Sequence, residues 1–200
     1  MMVKNYGIHS DYKINNQEKY LDTRNRQSRS QNEVYQFAHV ITKYFNSIKK
    51  VTDVGCGCGT KLLNYFNGFI TIGYDVYNNI QWLKSVYPNR DWRVSDFGIV
   101  PEQTDLVISA DVIEHVMDPD AFMRWIMQMN FKYIVISTPD RDKLISKLRR
   151  DELGPPVNKH HIREWSYREF HNFIKQYIDI TVQKPIGLYG QLVFGRKRTS

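Results

Sequence analysis

Residues 51–60, VTDVGCGCGT, set an acid, Asp53, just ahead of glycines at positions 55, 57 and 59. Glycine lets a backbone turn tightly and approach a ligand closely, because no Cβ intervenes. Behind a first strand, such a turn forms the nucleotide-binding crevice of a doubly wound sheet, which puts Gly55, Cys56, Gly57 and Gly59 against the ligand. A dinucleotide fold prefers G-x-G-x-x-G and aims a helix N-terminus at a pyrophosphate. Here the spacing is G-x-G-x-G, and Asp53 repels a pyrophosphate but attracts an ammonium. Two further acids follow in order. Asp75, with Val76 beside it, closes TIGYDV, where a carboxylate can accept hydrogen bonds from both hydroxyls of a ribose. Asp96 and Phe97 in VSDF offer an acceptor for an adenine amine and an aromatic cover for its ring.

In this order these segments resemble the class I S-adenosylmethionine (SAM) dependent methyltransferase superfamily. DVGCGCG matches its glycine motif, Asp75 its ribose acid, SDF its adenine segment and SADVIEHVMDPD its fourth-strand region, within a likeness spanning about Val34 to Tyr177. The resemblance implies SAM as methyl donor, with Asp53 toward the methionine ammonium and Asp111 in the same crevice. STPDRD and GPPVNKHHIREWSYREF further resemble methyltransferases of glycan biosynthesis. That narrower likeness implies a sugar, nucleotide sugar or glycan hydroxyl as acceptor.

A sulfonium methyl is already a good electrophile, so the protein must chiefly hold the acceptor in line behind it, and a water-poor pocket favours the loss of positive charge at sulfur. An alcohol acceptor also needs a base. His160 and His161 are the candidates, since histidine titrates near neutrality and their loop belongs over the crevice. Alternation turns one of the two inward. Trp165 either lines an acceptor pocket or anchors the next helix. Asp111, Glu114 and His115 share a face if a helical turn follows the fourth strand. With His160 or His161 they can hold a divalent cation, in a layout similar to metal-assisted small-RNA 3′-end methyltransferases and ubiquinone-pathway O-methyltransferases. Metal-free relatives carry the same Glu-His pair, and the metal-free reading is preferred.

The elements that must position these residues follow from hydrophobic periodicity and caps. After an irregular N-terminal arm over residues 1–29, Ser30 and Glu33 spell a capping box for a helix from about Gln31 to Ser47. Strands are expected at 51–54, 69–74, 92–94, 106–110 and 133–137, alternating with helices from about Lys61, over 79–86, from Asp118–Pro119 to about Asn130, and over 140–150. Gly154, Pro155 and Pro156 mark a loop. Ser166 and Glu169 then cap a helix to about Tyr177, ahead of two strands at 178–183 and 191–194. The expected fold is one α/β domain, residues 30–200: a doubly wound, mostly parallel seven-stranded sheet of the Rossmann-like SAM methyltransferase kind.

At 200 residues the chain has the length of one domain. No apolar run approaches the roughly 20 residues that span a bilayer, and the N-terminus lacks a signal-peptide core, so a cytoplasmic protein with no membrane partner is expected. Cys56 and Cys58 are too close for an ordinary disulfide and lack further zinc ligands. The net charge of +7 favours an acidic partner such as a nucleotide sugar, a phosphate or RNA. An RNA methyltransferase therefore stands beside the sugar reading, a non-catalytic SAM-fold partner subunit is the alternative of another class, and an NAD-dependent reductase is the weakest. Oligomeric state is not legible.

Overall fold

The computed structural model describes residues 31–148, 156, 158 and 160–198. The N-terminal arm, Ser30 of the first capping box and the end of the helix expected over 140–150 lie outside the described residues. Helix α1 (Asn32–Tyr44) leads into β1 (Lys50–Val54), α2 (Thr60–Phe66), β2 (Ile70–Asp75), α3 (Tyr77–Val86) and β3 (Asp91–Val94). Strand β4 (Leu106–Ala110) is followed by a 3₁₀ turn (Ile113–His115), α4 (Pro119–Met127), β5 (Tyr133–Pro139) and α5 (Arg141–Leu148). Helix α6 (Tyr167–Ile174) precedes β6 (Ile178–Ile186) and β7 (Gly190–Lys197).

The seven strands form one sheet in the order β3-β2-β1-β4-β5-β7-β6. β1 to β5 run parallel, while β7 is antiparallel to both β5 and β6. Every residue of β4 is buried, as a central parallel strand covered on both faces requires. On one face α1, α2 and α3 bury Val34, Ala38, Leu62, Phe66, Ile80 and Leu83. On the other, α4 and α6 bury Phe122, Met123, Ile126, Phe170 and Phe173. Each such Leu or Phe removed from water stabilises the fold by about 1.5–3 kcal/mol.

The strand order reverses at β1 and β4, which opens a crevice beyond their C-terminal ends. Pairing of Gly190 with Pro139 brings the β6–β7 hairpin tip to that same edge. Among the described residues no helix is long and apolar enough to cross a membrane.

Caps fix several elements where the sequence places them. Asp118 accepts from the Ala121 amide at 2.9 Å, with Pro119 in the first helical turn. At α6 the reciprocal capping box forms: Glu169 N donates to Ser166 Oγ at 3.2 Å, and Ser166 N donates to Glu169 Oε2 at 2.9 Å. Helix α1 ends at Tyr44 rather than Ser47, because Phe45 leaves helical geometry to stack on Tyr133 and Ile48 turns into the core. Helix α6 likewise stops at Ile174, three residues short of Tyr177, whose hydroxyl reaches back to Asp120.

Candidate functional site

The C-terminal edge of the parallel strands encloses a cavity of about 950 Å³. The glycine turn supplies Gly55, Cys56, Gly57 and Cys58 to its wall; β2 ends in Asp75 and Val76; the turn after β3 contributes Ser95 and Phe97; and β4 leads into Asp111. Gly55 has φ +84°, and a Cβ there would meet Val112 Cγ2 at 2.2 Å, so the position needs glycine for both conformation and space. Gly59 carries the same signature for another reason. At φ +70° it is the left-handed N-cap of α2, and a Cβ would strike the Trp92 ring at 2.8 Å. It serves helix-to-sheet packing and does not line the cavity.

Asp75 is 8% exposed and organises the turn. Its Oδ2 accepts from Gly57 N at 2.6 Å, while Oδ1 accepts from Val76 N at 2.8 Å and from the Asn79 side chain at 2.7 Å. Three of the roughly four lone-pair directions of a carboxylate are thereby used. Burial nonetheless holds its pKa above the ordinary value, against those three donors.

Asp53 lies beneath the cavity rather than in its lining. It is completely buried and accepts from the Tyr35 hydroxyl at 2.8 Å, and burial pushes its carboxyl up from 3.8 to about 7 despite that bond. The folded state therefore binds this proton more tightly than the unfolded chain. Its stabilising contribution is complete below pH 3.8 and is lost as pH rises through about 7. Asp53→Asn, which keeps an acceptor for Tyr35, is expected to raise stability above neutral pH by roughly 1–3 kcal/mol and to reduce the loss between acidic and neutral pH. Chemical denaturation across that pH range checks it.

Asp111 adopts φ +54° and is tied back to β5, its Oδ1 accepting from Ser137 Oγ at 2.7 Å. Burial raises its pKa, and burial with the nearby Asp111 carboxylate raises that of Glu114 well above the ordinary value. Phe97 lines the cavity, 42% exposed, with its ring centroid 6.0 Å from Phe122 and 5.5 Å from Trp125. Its ring is thus open to the cavity rather than enclosed in the core. Asp96 is exposed outside the lining and accepts from Gly98 N.

His161 is the inward histidine of its pair: it is buried and lines the cavity, whereas His160 does not. His161 Nδ1 lies 2.7 Å from Glu164 Oε1, and its Nε2 lies 2.9 Å from Asn158 Nδ2. His160 contributes its backbone: the amide donates to Asn158 Oδ1, and the carbonyl accepts from His115 Nδ1 at 2.9 Å. Trp165 is an anchor, fully buried against Phe170 and Phe173.

Ligand atoms of Glu114, His115 and His161 lie within 4.8 Å of one another, a group that could hold a cation. Asp111 is not in it. The turn after β4 is 3₁₀ and Asp111 is left-handed, so the shared helical face expected for Asp111, Glu114 and His115 does not form.

Five carboxyl side chains line the cavity, those of Glu33, Asp75, Asp111, Glu114 and Glu164, against one described lysine or arginine, Lys61. Among the described residues, several basic side chains are engaged outside the cavity. Arg198 pairs with Asp179, Lys197 with Asn130, and Arg196 covers the Phe45 and Tyr133 rings.

The sequence reading missed Glu164, Asn158, Tyr35 and the hairpin tip. The His-x-x-Glu spacing of 161 and 164 was the only available signal for Glu164. Glu33, read as half of a capping box, uses its carboxylate on the Gly187 amide at 3.1 Å and so joins α1 to that tip.

A family model described as a methyltransferase domain matches residues 15–180. Among curated proteins the sequence finds no match. Solved structures share the fold. The PH0226 protein of Pyrococcus horikoshii OT3 is 20% identical, with TM-score 0.66 and coverage of 89% of this chain and 95% of that one. Magnesium protoporphyrin IX methyltransferase of Synechocystis PCC 6803, with bound SAH, is 14% identical, with TM-score 0.65 and coverage of 94% and 90%. The methyltransferase domain of bacterial CtHen1-CN is 20% identical, with TM-score 0.64 and coverage of 84% and 100%.

Proposed function

The chain belongs to the methyltransferase domain family, and on that premise we propose that it transfers the methyl group of SAM to a hydroxyl of a sugar or glycan. The observation that carries this reading is the meeting in one cavity of a glycine turn, the Asp75 carboxylate and a buried His161–Glu164 pair. The turn and Asp75 hold the nucleoside, and Phe97 covers the adenine. The desolvated carboxyls favour a cationic ligand, and SAM brings both a sulfonium and an ammonium. Structural neighbours solved with SAM or SAH support that choice of donor.

His161 takes the proton of the acceptor hydroxyl as its oxygen attacks the methyl carbon; the carbon–sulfur bond breaks, leaving S-adenosylhomocysteine and a protonated imidazole. Glu164 stabilises that imidazolium. The acid-rich lining favours an uncharged acceptor, so the diphosphate of a nucleotide sugar is a poor fit to the described walls.

A second reading rests on Glu114, His115 and His161. Both imidazoles have Nδ1 engaged, by the His160 carbonyl and by Glu164, and a cation binding at their Nε2 atoms beside the Glu114 carboxylate would displace Asn158 Nδ2 from His161. A divalent cation there would acidify a bound hydroxyl.

Incubation with SAM and a panel of neutral sugars, nucleotide sugars and short RNAs, followed by mass spectrometry, tests the proposal. A gain of one methyl on a neutral sugar supports it. Methylation of RNA alone, or SAM binding without transfer to any acceptor, contradicts it. Turnover that survives a chelator favours His161 as base; loss restored by Mg²⁺ or Mn²⁺ favours the cation.

A further inference from the structure

The polarity of the hydrogen bonds around His161 is fixed from one end to the other. The His160 backbone amide can only donate, and it donates to Asn158 Oδ1 at 3.0 Å. That assigns the oxygen of the amide side chain, so Nδ2, which can only donate, is the atom 2.9 Å from His161 Nε2. His161 Nε2 must therefore accept, and in the neutral ring the proton resides on Nδ1, where Glu164 Oε1 receives it at 2.7 Å. Each link is itself held. The Asn158 carbonyl accepts from the His161 amide at 2.9 Å. The Glu164 carbonyl accepts from Arg141 Nη1 at 3.2 Å, and that guanidinium also pairs at 2.8 Å with Glu169, half of the α6 capping box. Glu164 is 2% exposed, and the adjoining Trp165 is locked in the core.

We propose that Asn158 and Glu164 are positioning residues that hold His161 as its Nδ1–H tautomer, with Nε2 kept as a lone pair for the acceptor hydroxyl. Asn158 Nδ2 marks the place of that hydroxyl: it is a donor at hydrogen-bond distance from Nε2, which is what an O–H in the reactive complex must be. When the acceptor enters, its O–H replaces the amide on Nε2, and the freed Nδ2 can donate to the same oxygen. The relay rests on the methyl-transfer reading for its use but not for its geometry.

The test is long-range nitrogen–proton NMR of the histidine rings in the full-length protein saturated with S-adenosylhomocysteine, paired with kinetics on any acceptor found. In the wild type the spectrum is expected to show the proton on Nδ1 of His161. Glu164→Ala combined with Asn158→Ala, which releases both ring nitrogens, should mix the two tautomers and lower kcat by about 10–100-fold with little change in acceptor KM. Glu164→Gln, which keeps an acceptor for Nδ1–H, should retain the tautomer and recover part of the loss. A merely structural Glu164 would instead lower thermal stability and leave the tautomer in place. A wild-type ring protonated on Nε2, or an unchanged tautomer in the double variant, overturns the relay. The wild-type spectrum decides the matter even if the double variant does not fold. A locked Nδ1–H tautomer in a protein that methylates nothing would support the relay while counting against the proposed reaction.

Discussion

His161→Ala is expected to cut turnover by about 10²–10⁴-fold, the range for a positioned general base, while leaving affinity for S-adenosylhomocysteine within a few-fold of wild type. The separation follows from placement. The groups proposed to hold the donor come from the ends of β1, β2 and β3, whereas His161 comes from the loop ahead of α6. The substitution also strands the Glu164 carboxylate, which is 2% exposed, so a stability loss of roughly 1–3 kcal/mol should accompany it. His160→Ala is the matched control. The His160 amide to Asn158 and carbonyl to His115 are both retained by alanine, and His160 does not line the cavity. Its turnover should stay near wild type. Steady-state kinetics with a folded-state check by circular dichroism separates the two outcomes; equal losses in both variants would remove His161 from the base role.

Asp75→Ala carries the second large effect. It takes away the proposed ribose acceptor and also the partner of Gly57 N, Val76 N and Asn79 Nδ2, so the turn should loosen together with the proposed nucleoside contact. SAM binding should weaken by on the order of 1–3 kcal/mol, measured by calorimetry. Asp75→Asn is expected to restore little, because an amide that offers Oδ1 to Val76 and Asn79 must turn Nδ2 toward the Gly57 amide, donor against donor. Unchanged affinity in Asp75→Ala would place the ribose elsewhere.

The central sheet was legible because its signals are local. Strands such as Leu106–Ala110 are short apolar runs between polar turns, and the caps at Asp118 and Ser166 announce α4 and α6. The glycine turn and Asp75 were legible for the same reason, since one backbone conformation demands glycine and a strand end must carry the acid. What the sequence did not disclose depends on tertiary placement. Gly55 and Gly59 read alike, yet one lines the cavity and clears Val112 while the other lies outside the lining and clears Trp92. Asp53 read as facing the ligand, but Tyr35 from α1 covers it, a contact between elements 18 residues apart. Glu33 also accepts from Gly187, 154 residues away, a contact that local spacing does not announce. Net charge was too coarse to read the site: +7 over the whole chain does not disclose that the described lining of the cavity is acidic.

Calorimetric titration of SAM into the purified protein, with NADH in a parallel titration, bears most directly on the cavity's assignment. The arrangement of the glycine turn, Asp75 and the desolvated carboxyls predicts saturable binding of SAM at a single site and none of NADH. Tight NADH binding together with no heat from SAM would contradict it.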